Sequence, residues 1–139
     1  WASKNNESVL SLCSKFEMEI VDLNQDEKLE FLNSYGLAKT GLDRLTKSAF
    51  NLLGMETFFT AGEKEIKSWP IKKDTLAVHA AGEIHSDIQR GFIKADVYSL
   101  EDLMKYESEE SLKSNGKIRQ EGKNYIVQDG DIIFFRFNV

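Results

Sequence analysis

The stretch from Asp129 to Phe137, DGDIIFFRF, constrains the fold more than any other part of the chain. Asp129-Gly130 is a strong turn signal. Ile132 to Phe137 reads as a strand that is apolar on both faces at its start. Such a strand belongs in the middle of a sheet, covered on both sides. Upstream, Phe92 to Ser99 alternates, with Ile93, Ala95 and Val97 expected on one face and Lys94 and Asp96 on the other. Thr57 to Thr60 has strand chemistry, Ala61-Gly62 suits a turn, and Glu65 to Ile71 reads as a second strand. Pro70 cannot donate to a ladder, so it is expected at an edge, a bulge or the strand's end. Between these strands, Thr75 to about Asp87 reads as a helix weakened by Gly82. Ser99 with Asp102 starts another short helix, and Asn115-Gly116 closes one that begins near Ser108. The order strand–strand–helix–strand–short helices–strand describes an α+β unit. It is compatible with a β-grasp, although periodicity alone does not fix that topology.

The first half reads mostly helical. Asp26 to Tyr35 carries Leu29 and Leu32 on one side, and Gly36 is placed to stop it. Thr40 is a good N-cap with Asp43 three residues later. The helix it opens runs to about Leu53, with Leu42, Leu45, Ala49, Leu52 and Leu53 as its apolar stripe. Ser8 to Leu12 is expected as a short strand. Phe16 to Leu23 is ambiguous: Phe16, Met18 and Ile20 alternate like a strand, whereas Phe16, Ile20 and Leu23 fit a helix face.

Composition narrows the function classes. The 139 residues suffice for one domain, or for a small domain plus a piece of another. The net charge of −5 argues against a protein that coats DNA or RNA generically, while leaving room for a local basic face. Charge gives no domain boundary, since residues 1–56 hold six Lys/Arg against nine Asp/Glu and residues 57–139 hold twelve against fourteen. The single cysteine, Cys13, allows no internal disulfide and no cysteine cluster for zinc. No apolar run approaches the roughly 18 residues that span a bilayer, and the polar opening WASKNNES, with no apolar stretch, is not expected to be a signal peptide. A chain opening on Trp1 rather than Met is expected to be a piece of a longer polypeptide.

Catalytic motifs are not found. Gly116-Lys117 and Gly122-Lys123 lack both the earlier glycine and the following Ser/Thr of a phosphate-cradling loop, so this chain alone is not expected to hydrolyse a nucleotide. His79 and His85 are six apart, whereas zinc-binding helical pairs lie three or four apart. His85 and Asp87 would not face each other on a helix, and a helix-end histidine with a local hydrogen bond is the simpler reading. The run Glu107, Glu109, Glu110 reads as a solvated surface. Lys117, Arg119 and Lys123 cluster beside Tyr125. Basic residues with an aromatic bind RNA by phosphate neutralisation and stacking, and they equally furnish an ordinary loop surface. The aromatics Phe58, Phe59, Trp69, Phe92, Phe134, Phe135 and Phe137 suit a core better than a stacking platform.

Several strings look like the YchF branch of the Obg-like ATPases: FFTAGEKEIKSW at 58–69, AAGEIHSD at 80–87, GFI at 91–93 and NYIVQDGDIIFFRFN at 124–138. Their combination in this order is specific, and with the opening the resemblance covers nearly the whole chain. Pro70 departs from the family, which usually has Thr there. The resemblance implies that residues 1–56 are the C-terminal end of a P-loop G domain (its last strand and closing helices) and that residues 57–139 are a β-grasp TGS domain. Cys13, Ser14 and Lys15 would then form the loop whose backbone N–H groups orient the nucleotide base. Catalytic residues and metal ligands are expected to lie outside this chain. The family implies ATP or GTP with Mg2+ for the longer protein, a cytoplasmic location, and association with the ribosome. RNA contacts would fall to Arg90, Lys94, Lys117, Arg119 and Lys123. Docking on the longer protein's own G domain is a further expected partnership; membranes and DNA are not. The competing reading is a ubiquitin-like module that binds protein and no RNA.

Overall fold

Residues 2–5, 9–62 and 65–138 are described by a computed structural model of the chain. The chain divides into two compact units, Trp1–Leu53 and Gly54–Val139.

The first unit is helical: α1 (Ala2–Asn5), α2 (Ser14–Val21), α3 (Gln25–Ser34) and α4 (Gly41–Leu52). The ambiguity at Phe16 resolves as helix, because Phe16 and Ile20, one turn apart, are both buried while Met18 is 74% exposed. Phe16, Ile20 and Leu32 form a small core, and the Phe16 ring meets Phe31 and Tyr35 at centroid distances of 5.2 and 5.0 Å. Both α3 and α4 open on capping boxes, Asn24 with Glu27 and Thr40 with Asp43, each satisfying two helix-start donors. The expected stripe of α4 is present but uncovered: Leu42, Leu45, Leu52 and Leu53 are all exposed. The strand expected at Ser8 to Leu12 does not form over its described part. Val9 to Leu12 pairs with no other strand among the described residues, and an extended segment without a neighbour has no ladder to join. Ser8 lies outside the described residues.

The second unit carries a sheet in the order β2-β1-β5-β3-β4. A hairpin of β1 (Met55–Ala61) and β2 (Ile66–Lys72) opens it. Next come α5 (Ala77–Ile84), α6 (Ser86–Arg90) and β3 (Phe92–Ser99). The chain ends with α7 (Leu100–Tyr106), α8 (Glu109–Ser114), β4 (Arg119–Glu121) and β5 (Asp131–Phe137). The last strand lies mid-sheet, parallel to β1 and antiparallel to β3. A hairpin, a helix packed across it and a central parallel first–last pair make the β-grasp arrangement within an α+β fold.

Burial explains this order. Phe58, Ala95, Val97, Ile133 and Phe135 form one face of the sheet, against which α5 lays Ala77, Ala80 and Ala81. Three alanines let the helix axis approach closely. The other face is covered only in part, where Tyr98 and Ile132 meet Leu112 of α8. Strand β5 is therefore sandwiched at Ile132-Ile133 and half-open at Phe134, which is 50% exposed. Pro70 sits on β2, an edge strand, opposite Thr57.

Two expectations are corrected here. The helix over Thr75 to Asp87 is two helices, broken at His85, whose extended backbone (φ −163°, ψ 141°) ends α5 and starts α6. Ile93 does not share a face with Ala95 and Val97. A bulge between Phe92 and Lys94 shifts the pleat, so that Phe92 is buried and Ile93 is 59% exposed.

Candidate functional sites

Cys13 is the N-cap of α2, with extended backbone and no hydrogen bond from its side chain to the helix start. The N–H groups of Ser14 and Lys15 have no partner among the described residues. Such donors at a helix start favour an electron-rich ligand atom. Beside them lies a hollow of about 350 Å³, bounded by Cys13, Lys15, Phe16, Tyr35, Leu37 and Arg44 among others. Two polar links bracket the loop. The Glu17 carboxylate accepts from Gly41 N–H at 2.8 Å, and Arg44 donates through Nη2 to the Ser11 carbonyl at 3.0 Å.

The five cations expected at an RNA interface stand in different settings. Arg90, at the end of α6, is exposed and pairs with Asp87 at 2.9 Å. Lys117 pairs with Asp102 at 3.5 Å and lies 5.9 Å from the Tyr106 ring centre. Lys94 and Lys123 have no side-chain partner among the described residues. Arg119 is engaged most fully. It lies near Glu121 and Asp131, at 3.8 and 3.4 Å, and donates to the Tyr125 hydroxyl at 3.1 Å. Lys94 and Arg119 also leave the sheet on opposite faces. Lys94 aligns with Arg136 and shares the face of Asp96, whereas Arg119 stands opposite Val97 on the face of Ala95.

Asp131 is the hub of the Arg119 network. Only 5% exposed, it accepts from the Tyr125 hydroxyl at 2.7 Å and from Gln128 N–H at 2.9 Å. Burial pushes the Tyr125 phenol up to about 12; the hydrogen bond and charge of Asp131 add to this and Arg119 partly opposes it. For Arg119, burial alone would lower the pKa, but the bond to Tyr125 and the charges of Asp131 and Glu121 outweigh it and raise it.

Sequence reasoning missed the open half of the second sheet face. Phe134 lies there under the Arg136 guanidinium, 4.4 Å from its ring centre, and Arg136 donates to Asp96 at 2.9 Å. A groove beside it is lined by Lys94, Lys113 and Gln120 together with Glu109 and Glu110 of α8. The signal was the alternation in IIFFRF, which puts Phe134 and Arg136 on one face, opposite the strand that carries Lys94 and Asp96. At the other end of β3, His85 caps α6 by accepting Asp87 N–H on Nδ1 at 3.1 Å, and His79 meets Gln89 at 3.2 Å.

Fold and sites together define an α+β module of the β-grasp kind, preceded by a helical unit with uncapped donors at its loop. The family model YchF-GTPase_C, described as a protein of unknown function (DUF933), matches residues 55–138. The chain belongs to this family. It is 48% identical over all 139 residues to the ribosome-binding ATPase YchF of Bacillus subtilis (strain 168), and 43% identical over 138 residues to that of Escherichia coli O157:H7. It spans 38% of the length of each. The YchF GTPase of Schizosaccharomyces pombe superposes with a TM-score of 0.83 at 28% identity, over 98% of this chain and 36% of that one. A GTP-binding protein of Pyrococcus horikoshii OT3 shares the fold at a TM-score of 0.62 and 15% identity, over 98% and 39% of the two chains.

Proposed function

We propose that this chain is the C-terminal binding region of a cytoplasmic, ribosome-associated protein that hydrolyses ATP or GTP, and that its β-grasp unit contacts ribosomal RNA. The observation that carries this reading is the match to ribosome-binding ATPases along the whole chain. Residues 1–56 would complete the G domain and residues 57–139 would form the TGS domain. Nucleotide state in the G domain would alter docking of the TGS domain.

The residues present suit the base end of a nucleotide. Cys13 and Ser14 are small, and the N–H groups of Ser14 and Lys15 are uncapped. These N–H groups would orient the base, while the triphosphate supplies the bond that is broken. For Mg2+ the described residues hold no group of three or more ligating side chains.

Among the five cations, Lys94 and Lys123 are the freest to meet phosphate, followed by Arg90 and Lys117 in exposed or half-exposed pairs. Arg119 contributes by holding β4 in place. The test is ribosome binding by the full-length protein carrying Arg90, Lys94, Lys117 and Lys123→Gln together. Weaker binding with a flatter salt dependence is expected. Unchanged affinity and an unchanged salt slope would remove RNA from the interface.

One observation favours a protein partner instead. The groove beside Phe134 balances Lys94, Lys113 and Arg136 against Asp96, Glu109 and Glu110. RNA-binding surfaces carry an excess of positive charge, whereas aromatic and arginine side chains in balanced surroundings mark protein interfaces. Capture of a protein partner in a pull-down that survives nuclease treatment and high salt would favour this second reading.

A further inference from the structure

Helix α4 opens with a turn whose geometry is spent on a neighbouring loop. Thr40 and Asp43 fix where the helix begins. Gly41, the first helical residue, gives its N–H to Glu17, two residues past the loop Cys13–Lys15. A Cβ at Gly41 would meet the Glu17 carboxylate and the tip of the Leu12 side chain, so glycine lets the turn come this close without moving either. One turn on, Arg44 reaches back to the Ser11 carbonyl, two residues before the loop. The same side chain lines the hollow shared with Cys13 and Lys15, and its Nε is buried without a partner among the described residues.

We infer that the first turn of α4 sets the position of the Cys13–Lys15 loop against the purine base of a nucleoside triphosphate, with Arg44 as the positioning residue. This rests on the reading of that loop as the base-orienting one. Arg44 ties down the loop's entry, Glu17 with Gly41 ties down its exit, and the uncapped N–H groups lie between.

Binding to the full-length protein, followed by calorimetry with ATP and with inorganic tripolyphosphate, tests this. Tripolyphosphate has no base and does not report on the loop. Arg44→Ala is expected to weaken ATP about tenfold, the scale of one lost hydrogen bond to a charged donor, and to leave tripolyphosphate unchanged. Arg44→Lys, which keeps one donor on a long stem, is expected to recover part of the loss. Ser14→Pro probes the loop itself. Proline fits the first position of a helix and removes only the N–H, and Cys13 already has the extended backbone that must precede it. Weaker ATP binding in both Ser14→Pro and Arg44→Ala, with tripolyphosphate intact, supports the inference. If Ser14→Pro weakens ATP and Arg44→Ala does not, the positioning role is overturned while the loop reading stands. Unchanged ATP binding in Ser14→Pro overturns the loop reading and the inference with it. Equal loss of ATP and tripolyphosphate in Arg44→Ala means collapse of the unit and overturns the positioning role.

Discussion

Asp131 starts the central strand and is the one buried charged residue among those described. A carboxylate there is tolerable only because Tyr125, Gln128 and Arg119 all point donors at it. The pH dependence follows from Tyr125. Its phenol is raised to about 12, chiefly by burial, so the folded chain favours the neutral form. That contribution is complete below the ordinary tyrosine value near 10 and is lost as pH rises through about 12. Tyr98 moves in the same direction, through burial and its bond to Glu109. Tyrosinate absorbance during alkaline titration is expected to lag behind that of the unfolded chain, with stability falling across this window. Asp131→Ala should shift Tyr125 back toward its ordinary value and cost roughly 2–4 kcal/mol at neutral pH, measured by denaturant unfolding. A variant as stable as the parent would mean that the network is ornamental. The sequence offered Arg119 as a surface cation. Its engagement was not legible, because Tyr125 and Asp131 lie six and twelve residues away and only the loop between β4 and β5 brings them to it.

Elements were more legible than contacts where a local pattern was complete. The Thr40–Asp43 box, the alternation of β3 and the doubly apolar start of β5 each state their structure in adjacent residues. Three features escaped because their causes are not local. Strand β4 has only three residues and exists through pairing with Ala95 to Val97. The break at His85 separates α5 from the short α6 that leads into β3, and the bulge at Phe92 lies beside the last residues of β5. Gly91 marks that approach: its carbonyl accepts Asn138 N–H at 3.0 Å, and a Cβ on it would collide with the Asn138 backbone. Because the obstacle is backbone rather than a flexible side chain, Gly91→Ala must displace the end of β5. The expected cost is about 1–3 kcal/mol, with faster amide exchange at Asn138 and at Phe137 beside it. Normal stability with those amides still protected would show that the strand end yields freely. The stripe on α4 makes the opposite case: its periodicity was read correctly, but periodicity cannot say whether anything covers it.

On the scale of the whole molecule, the two units differ in how much holds each together. The sheet unit buries eleven residues in one core, from Phe58 to Phe135, and a second cluster beneath α7 and α8. The helical unit buries Phe16, Ile20 and Leu32, while Leu42, Leu45 and Leu52 of α4 are exposed. At roughly 1.5–3 kcal/mol per buried large side chain, the first core outweighs the second several-fold, whereas the backbone entropy to be overcome scales with length and differs less. The two should therefore open separately. Amide exchange in the 139-residue chain is expected to show stronger protection in β1, β3 and β5 than anywhere in α2 to α4, with exchange in the helices occurring well below global unfolding. Denaturant should give an early loss of helical signal and a later transition in which Phe58 and Phe135 become exposed. Equal protection across both units, or one cooperative transition seen by every probe, would mean that the small helical core is reinforced by contacts not counted in it. The distinction bears on function, since a loosely held helical unit would lend its Cys13–Lys15 loop only as much order as α4 can impose. If the loop orients the nucleotide base as proposed, adding ATP to the full-length protein should raise protection at Ser14 and Lys15 before it raises protection in the sheet.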